Sequence, residues 1–98
     1  MASKTFVVMY SYVPDVLERR TPHRPDHLQH LAKAKDDGWL LVAGAFANPV
    51  SGALFVARAE DPGDILRWVS EDPYVRAGLV LSVEIREWTI AAGSLETA

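Results

Sequence analysis

Two short runs, Arg24-Pro25-Asp26-His27 and Asp72-Pro73-Tyr74, hold the residue types that acid/base chemistry needs. Histidine is the side chain whose unperturbed pKa lies nearest neutrality, and a carboxylate beside it fixes its tautomer and favours its charged form. A His27–Asp72 pair would therefore make a group able to take a proton at neutral pH and return it. Arg24, one helical turn before His27, is placed to bind an enolate or other anionic oxygen, although an exposed salt bridge to Asp26 accounts for it as well. Asp72 also has a local explanation, because Asp-Pro commonly opens a helix with the carboxylate accepting backbone N–H groups. The two roles are compatible: one carboxylate oxygen can take the backbone bond while the other receives the imidazole N–H.

Other polar and aromatic residues are weighed in the same way. His23, His27 and His30 fall on one side of a helix at spacings that can chelate a metal. Pro25 disturbs the first turn and no matching carboxylate or thiol ligand follows, so no metal site is assigned and His23 and His30 are expected in solvent. Phe46 and Tyr74 are expected as substrate-contacting walls of a pocket with Trp39 nearby, a role that competes with ordinary core packing. Glu84 and Arg86 fit either a pair across a dimer or polar pocket residues.

The elements that must position these groups follow from the hydrophobic periods. Phe6, Val8, Tyr10 and Tyr12 alternate with Val7, Met9, Ser11 and Val13, which predicts a strand over 5–13 ended by Pro14. A polar connector over 14–21 leads to a helix whose first turn accommodates Pro22 and Pro25 and which ends near Gly38. Leu28, Leu31, Ala32 and Lys35 centre its buried stripe at about 100° per residue, leaving His27 on the border of that stripe. Residues 39–46 and 53–58 are apolar runs around the turn Asn48-Pro49-Val50-Ser51-Gly52, a hairpin pattern. Asp61-Pro62-Gly63-Asp64 caps a second helix carrying Ile65, Leu66, Trp68 and Val69, and Asp72 starts a further turn. Leu79, Leu81, Val83 and Ile85 then alternate with Val80, Ser82, Glu84 and Arg86 as a fourth strand with one greasy and one mixed face. Residues 90–98 form a short polar tail beyond a core of about 4–89.

The order β-α-β-β-α-β is the α+β, ferredoxin-like sandwich, in which two helices cover one face of a four-stranded antiparallel sheet. All 98 residues read as one domain, with no repeat or linker to divide them. Strands apolar on both sides would leave a large exposed patch on the uncovered face. A second copy is its simplest cover, which predicts a two-fold homodimer.

Composition excludes several classes. Apolar residues make up 49% and charged residues 23%, values of a folded globular chain and not of a disordered one. A net charge of -3, with its Lys and Arg scattered, offers no nucleic-acid footprint. The chain has no cysteine, so disulfides, thiolate catalysis and thiolate metal sites are out, in keeping with a reducing compartment. No apolar run approaches the roughly 20 residues of a membrane span, and the start Met1-Ala2-Ser3-Lys4 has no signal-peptide core, so a cytoplasmic location without membrane contact is expected.

Three of these runs, in order, resemble the YCII-related family. Arg24-Pro25-Asp26-His27-Leu28 fits its R-P-x-H-L. Asp37-Gly38-Trp39-Leu40-Leu41-Val42-Ala43-Gly44-Ala45-Phe46 fits D/E-G-x-L-x-x-x-G-P-F, and Asp72-Pro73-Tyr74 with Gly78 fits D-P-F/Y-x-x-x-G. The resemblance spans nearly the whole chain and implies a dimeric α+β barrel of ferredoxin-like subunits. It also implies an active-site dyad, which falls here on His27 and Asp72. Two positions depart from the pattern: Ala45 replaces Pro, which predicts a looser strand end near the pocket, and the tail from Thr89 lies outside it. The family is functionally uneven, with one branch resembling a dehydrochlorinase of a chlorinated hydroxyquinol. The same barrel serves muconolactone isomerases and cofactor-free monooxygenases, so fold alone names no substrate.

The reading that results is a small cofactor-free enzyme in which His27, oriented by Asp72, moves a proton on a small organic substrate, in lyase or isomerase chemistry of dehydrochlorinase-like or muconolactone-isomerase-like type. Arg24 would stabilise the negative charge that develops, and neither a metal nor an organic cofactor is required. The alternatives are a non-catalytic dimer that binds a small ligand or a protein, and a cofactor-free monooxygenase. A His27–Asp72 hydrogen bond at the wall of an open cavity separates the enzyme from a merely structural pair.

Overall fold

The computed structural model describes residues 3–95. The chain runs β1 (Lys4–Tyr12), α1 (Val16–Arg19), α2 (Arg24–Asp36), β2 (Leu40–Ala45), β3 (Gly52–Ala59), α3 (Pro62–Ser70), α4 (Pro73–Arg76) and β4 (Val80–Glu87). The strands form one antiparallel sheet in the order β2-β3-β1-β4. With α2 and α3 packed on one face, this is the ferredoxin-like α+β sandwich. Two single-turn helices, α1 and α4, are added to that plan.

The alternation in β1 decides which face is covered. Phe6, Val8, Tyr10 and Tyr12 are buried, and opposite them on β3 sit Ala57, Phe55 and Ala53, also buried. Their layer is closed from above by Ala34 of α2 and by Ile65 and Val69 of α3. Ring edges meet ring faces between Tyr10 and Phe55, with centroids 4.8 Å apart. Burial of such side chains, about 1.5–3 kcal/mol each, is what holds the short helices down.

Local signals place the ends. Asp61 accepts the Gly63 N–H at 2.8 Å and caps α3. Gly78 has φ 75° just past α4, and this left-handed turn sends the chain back so that the Leu79 N–H reaches the Tyr74 carbonyl at 3.0 Å. Gly52 lies so near β1 that a Cβ on it would strike the Tyr10 carbonyl oxygen.

The structure corrects several expectations. The polar connector contains α1, pinned by buried Val16. In α2 the inward line runs through His27, Leu31 and Ala34, while Leu28, Ala32 and Lys35 are exposed and border a shallow groove beside β2. Hydropathy ranked the leucines first, but a polar ring can be buried where partners satisfy it, and His27 has such partners. In β4 the alternation breaks at Leu81, which is 67% exposed, because the pairing of β4 with β1 shifts between Ser11 and Tyr12. A bulge of this kind puts an extra residue on one strand and turns its side chain away from its neighbours' face. Ala45 does not loosen the end of β2: it pairs with Ala53, and the Phe46 N–H donates to the Gly52 carbonyl at 2.9 Å. Of the expected tail, residues 90–95 are irregular and 96–98 lie outside the described residues, as do residues 1–2.

Candidate active site

His27 and Asp72 come from distant parts of the chain and meet inside it. α2 presents His27 on its inward line, and Asp72 is the N-cap of α4, where its side chain accepts the Tyr74 N–H at 3.0 Å. The His27 Nδ1–H donates to Asp72 Oδ1 at 2.7 Å. Both residues are buried, His27 at 5% exposure and Asp72 at 0%. The capping and pairing roles therefore coexist, as compatible chemistry allows, but on the same oxygen.

The other carboxylate oxygen is held by a residue that sequence reasoning passed over. Tyr10 donates its hydroxyl to Asp72 Oδ2 at 2.8 Å. The signal lay in the pattern, since Tyr10 belongs to the inward-facing set of β1 and a buried tyrosine hydroxyl needs an acceptor. Asp72 thus receives three donors. Burial alone would raise its carboxyl pKa, but the imidazole, the Tyr74 amide and the Tyr10 hydroxyl together hold it below the usual carboxylate range. Tyr10 is shifted upward by its burial and by the carboxylate it serves, so it stays a proton donor.

An ionised carboxylate is an acceptor only, which obliges His27 Nδ1 to carry a proton and leaves Nε2 with the lone pair when the ring is neutral. The Tyr74 ring lies flat on the imidazole, with centroids 3.7 Å apart and planes 2° from parallel. This stack and the Asp72 bond fix the orientation of the ring. Nε2 has no partner among the described residues.

His27 and Tyr74 border a cavity of about 230 Å³ between α2 and the inner face of the sheet. Its apolar walls are Leu28, Leu31 and Phe55 with the small residues Ala43, Ala45 and Ala53, and its polar members are Tyr12, Arg20 and Arg24. That size suits a small molecule and lies below the range of drug-sized ligand pockets. Of the expected pocket residues, Arg24 and Tyr74 are present. Phe46 is not: it sits half-exposed beyond the end of β2 against Gly52, and Phe55 supplies the aromatic wall instead. Strand β3 is apolar on both faces, so only register could tell that Phe55 points inward. Arg20 was missed because α1 was not foreseen.

The other sequence candidates sort away from the cavity. His30 is not in solvent: its ring stacks on Trp68 at 4.5 Å and its Nε2–H donates to the Trp68 carbonyl at 2.9 Å. His27 and His30 thus serve different partners, and His23 occupies the N-cap of α2. Trp39 meets Trp68 edge to face on that side of the molecule. Glu84 and Arg86 are paired at 3.7 Å within one chain, on the uncovered sheet face. No described helix is long and apolar enough to cross a membrane.

Comparison with known proteins identifies the family and the fold. The sequence profile of the YCII-related domain matches residues 5–89. Protein YciI of Escherichia coli O6:H1 is 31% identical over 90 residues, spanning 83% of this chain and 92% of that protein. Among solved structures, 5-chloro-2-hydroxyhydroquinone dehydrochlorinase from Burkholderia phenoliruptrix, in complex with 2,5-dihydroxybenzoquinone, superposes with a TM-score of 0.76 at 22% identity, over 87% of this chain and 93% of that one. A protein of Bacteroides thetaiotaomicron provisionally assigned as an antibiotic biosynthesis monooxygenase gives a TM-score of 0.59 at 12% identity, over 98% of this chain and 96% of that one. These structural neighbours share the fold of α+β barrel subunits, a fold used by small enzymes. With its profile match, its relative and its fold in agreement, this chain belongs to the YCII-related family.

Proposed function

We propose that the protein is a small acid/base enzyme of lyase or isomerase type, with His27 as the proton-transferring group and Asp72 as its orienting partner. The observation that supports this most directly is the 2.7 Å bond on Nδ1, which leaves a basic Nε2 on a residue that borders a cavity. In the proposed step, Nε2 takes a proton from an acidic C–H or O–H of the substrate. The electron pair left behind moves into an adjacent carbonyl or expels a leaving group as its anion, and imidazolium later returns the proton to substrate or solvent. Asp72 stabilises the imidazolium formed in that step, and Arg24 faces the negative charge that develops. The step uses no electron acceptor.

The dehydrochlorinase that shares the fold supplies a first substrate to try. The test measures chloride release from 5-chloro-2-hydroxyhydroquinone, and proton exchange in D2O on a panel of small enolisable lactones, by wild type and His27→Gln. A loss of about 10²-fold or more in kcat for the variant is expected, the usual size of a general acid/base contribution. Equal turnover by the two proteins would eliminate His27 as the acting group. A ligand-binding protein without turnover is the second reading, favoured by one observation: Asp72 also ties α2, α4 and β1 together, which is a structural service in itself.

The active form is proposed to be a homodimer joined through the uncovered sheet face. There Val42 is 48% and Leu54 38% exposed, beside Val7 and Met9 of β1. Water contact with such a patch is costly, and a second copy removes it.

A further inference from the structure

The walls of the cavity hold an imbalance of charge. Arg20 and Arg24 both border it, and among the described residues no Asp or Glu does. Among the described residues neither guanidinium has an ion-pair or hydrogen-bond partner for its side chain, whereas Arg19 and Arg67 are each paired with a nearby aspartate. Two neighbouring cations without a counter-charge repel each other, and an anion between them relieves that repulsion. Guanidinium groups present paired N–H donors that match the two oxygens of a carboxylate.

A second observation comes from the tyrosines of the cavity. The Tyr74 ring borders it, but the Tyr74 hydroxyl has no hydrogen-bond partner among the described residues and is closed off from the space a ligand can enter. An unpartnered buried donor costs about 1–3 kcal/mol, and phenylalanine would fill the space without that cost. Tyr12, on the same wall, has its pKa pushed up to about 12, chiefly by burial, with Tyr74 and Asp72 adding to it and Arg20 and Arg24 opposing. It keeps its proton at neutral pH and is a further donor facing an acceptor-rich ligand.

We infer that the cavity is built for an organic carboxylate about one ring in size, held between Arg20 and Arg24 with an oxygen accepting the Tyr12 hydroxyl. The carbon skeleton lies against Leu28, Leu31 and Phe55. This deepens the proposed function by naming a substrate class, and it rests on that reading only for the last step, in which a proton-bearing atom of the ligand meets His27 Nε2.

The test compares benzoate with benzamide, a neutral compound of the same shape, titrated into the full-length protein at pH 7 and followed by amide chemical shifts. Benzoate is expected to bind at least tenfold more tightly, with an affinity that falls as salt is added. Arg20→Gln with Arg24→Gln should abolish the preference, and Tyr12→Phe should weaken benzoate several-fold. His27→Gln should retain the preference. Equal affinities, no binding of either compound at millimolar concentration, or a preference that survives loss of both arginines each overturns the inference. Because benzoate binding needs no turnover, the two proposals fail separately: a protein that selects benzoate through its arginines yet catalyses nothing sinks the enzyme reading alone. One that is active through His27 but indifferent to benzoate sinks the carboxylate alone.

Discussion

At the scale of single residues, the Asp72 carboxylate is the hub of the candidate site. It serves three donors from three elements while sitting out of water, an arrangement that is stable only because every donor is in place. Its folded pKa lies below the unfolded value of 3.8, so between the two values the unfolded chain binds the extra proton. The stabilisation is therefore whole above about pH 4 and is lost as pH falls through the folded value. Urea unfolding from pH 7 down to pH 2 should show a steep acid loss in wild type and a shallower one in Asp72→Asn. At pH 7 that variant should be less stable by about 1–3 kcal/mol, since it disturbs buried hydrogen bonds without emptying the site. Parallel acid profiles for the two proteins would mean that the carboxylate is not the group being titrated. The sequence made the His27–Asp72 pair legible through residue type and motif, but Tyr10 was hidden among core aromatics because only the sheet brings its hydroxyl to Asp72.

Among the elements, the β1–β3 pairing matters most to the cavity, because it turns Phe55 and Ala53 inward and carries Tyr10 to the carboxylate. Gly52 begins β3 directly against the Tyr10 carbonyl, where no side chain fits. Gly52→Ala is expected to lower stability by about 1–3 kcal/mol, the range for forcing an extra carbon into a packed site, and to shift the Tyr10 and Asp72 resonances in NMR spectra. An unchanged denaturation midpoint would show that the strand end yields freely. Strand and helix types were readable from period and caps, as at Asp61 and Asp72. The rotation of α2 and the bulge in β4 were not. A helix stripe drawn from hydropathy cannot anticipate that a histidine will be buried by a distant aspartate, nor an alternation that a register shift will expose Leu81.

For the whole molecule, the decisive feature is the sheet face that none of the described helices covers. Its exposed Val42 and Leu54 flank the semi-buried β1 residues Val7 and Met9, with the Glu84–Arg86 pair at one side. If two copies pack there, the melting temperature should rise with protein concentration, since association stabilises the folded state by mass action. Leu54→Glu should shift the sedimentation coefficient from that of a dimer to that of a monomer, because a buried unpaired carboxylate opposes association strongly. A wild-type protein that sediments as a monomer at high micromolar concentration would remove the dimer and require another cover for this face.

By itself the sequence determined the class of the molecule: alternation, caps and turn residues set a βαββαβ order, and the runs at Arg24, Asp37 and Asp72 set its family. It also named the two residues whose pairing defines the candidate site, through the resemblance of their runs to a family with a histidine–aspartate dyad. Only the tertiary structure decided which oxygen each donor reaches, which aromatic walls the cavity, and that Arg20 and Arg24 border it together. Those are properties of register, helix rotation and three-dimensional proximity, and a one-dimensional period carries spacing along the chain but not distance across it.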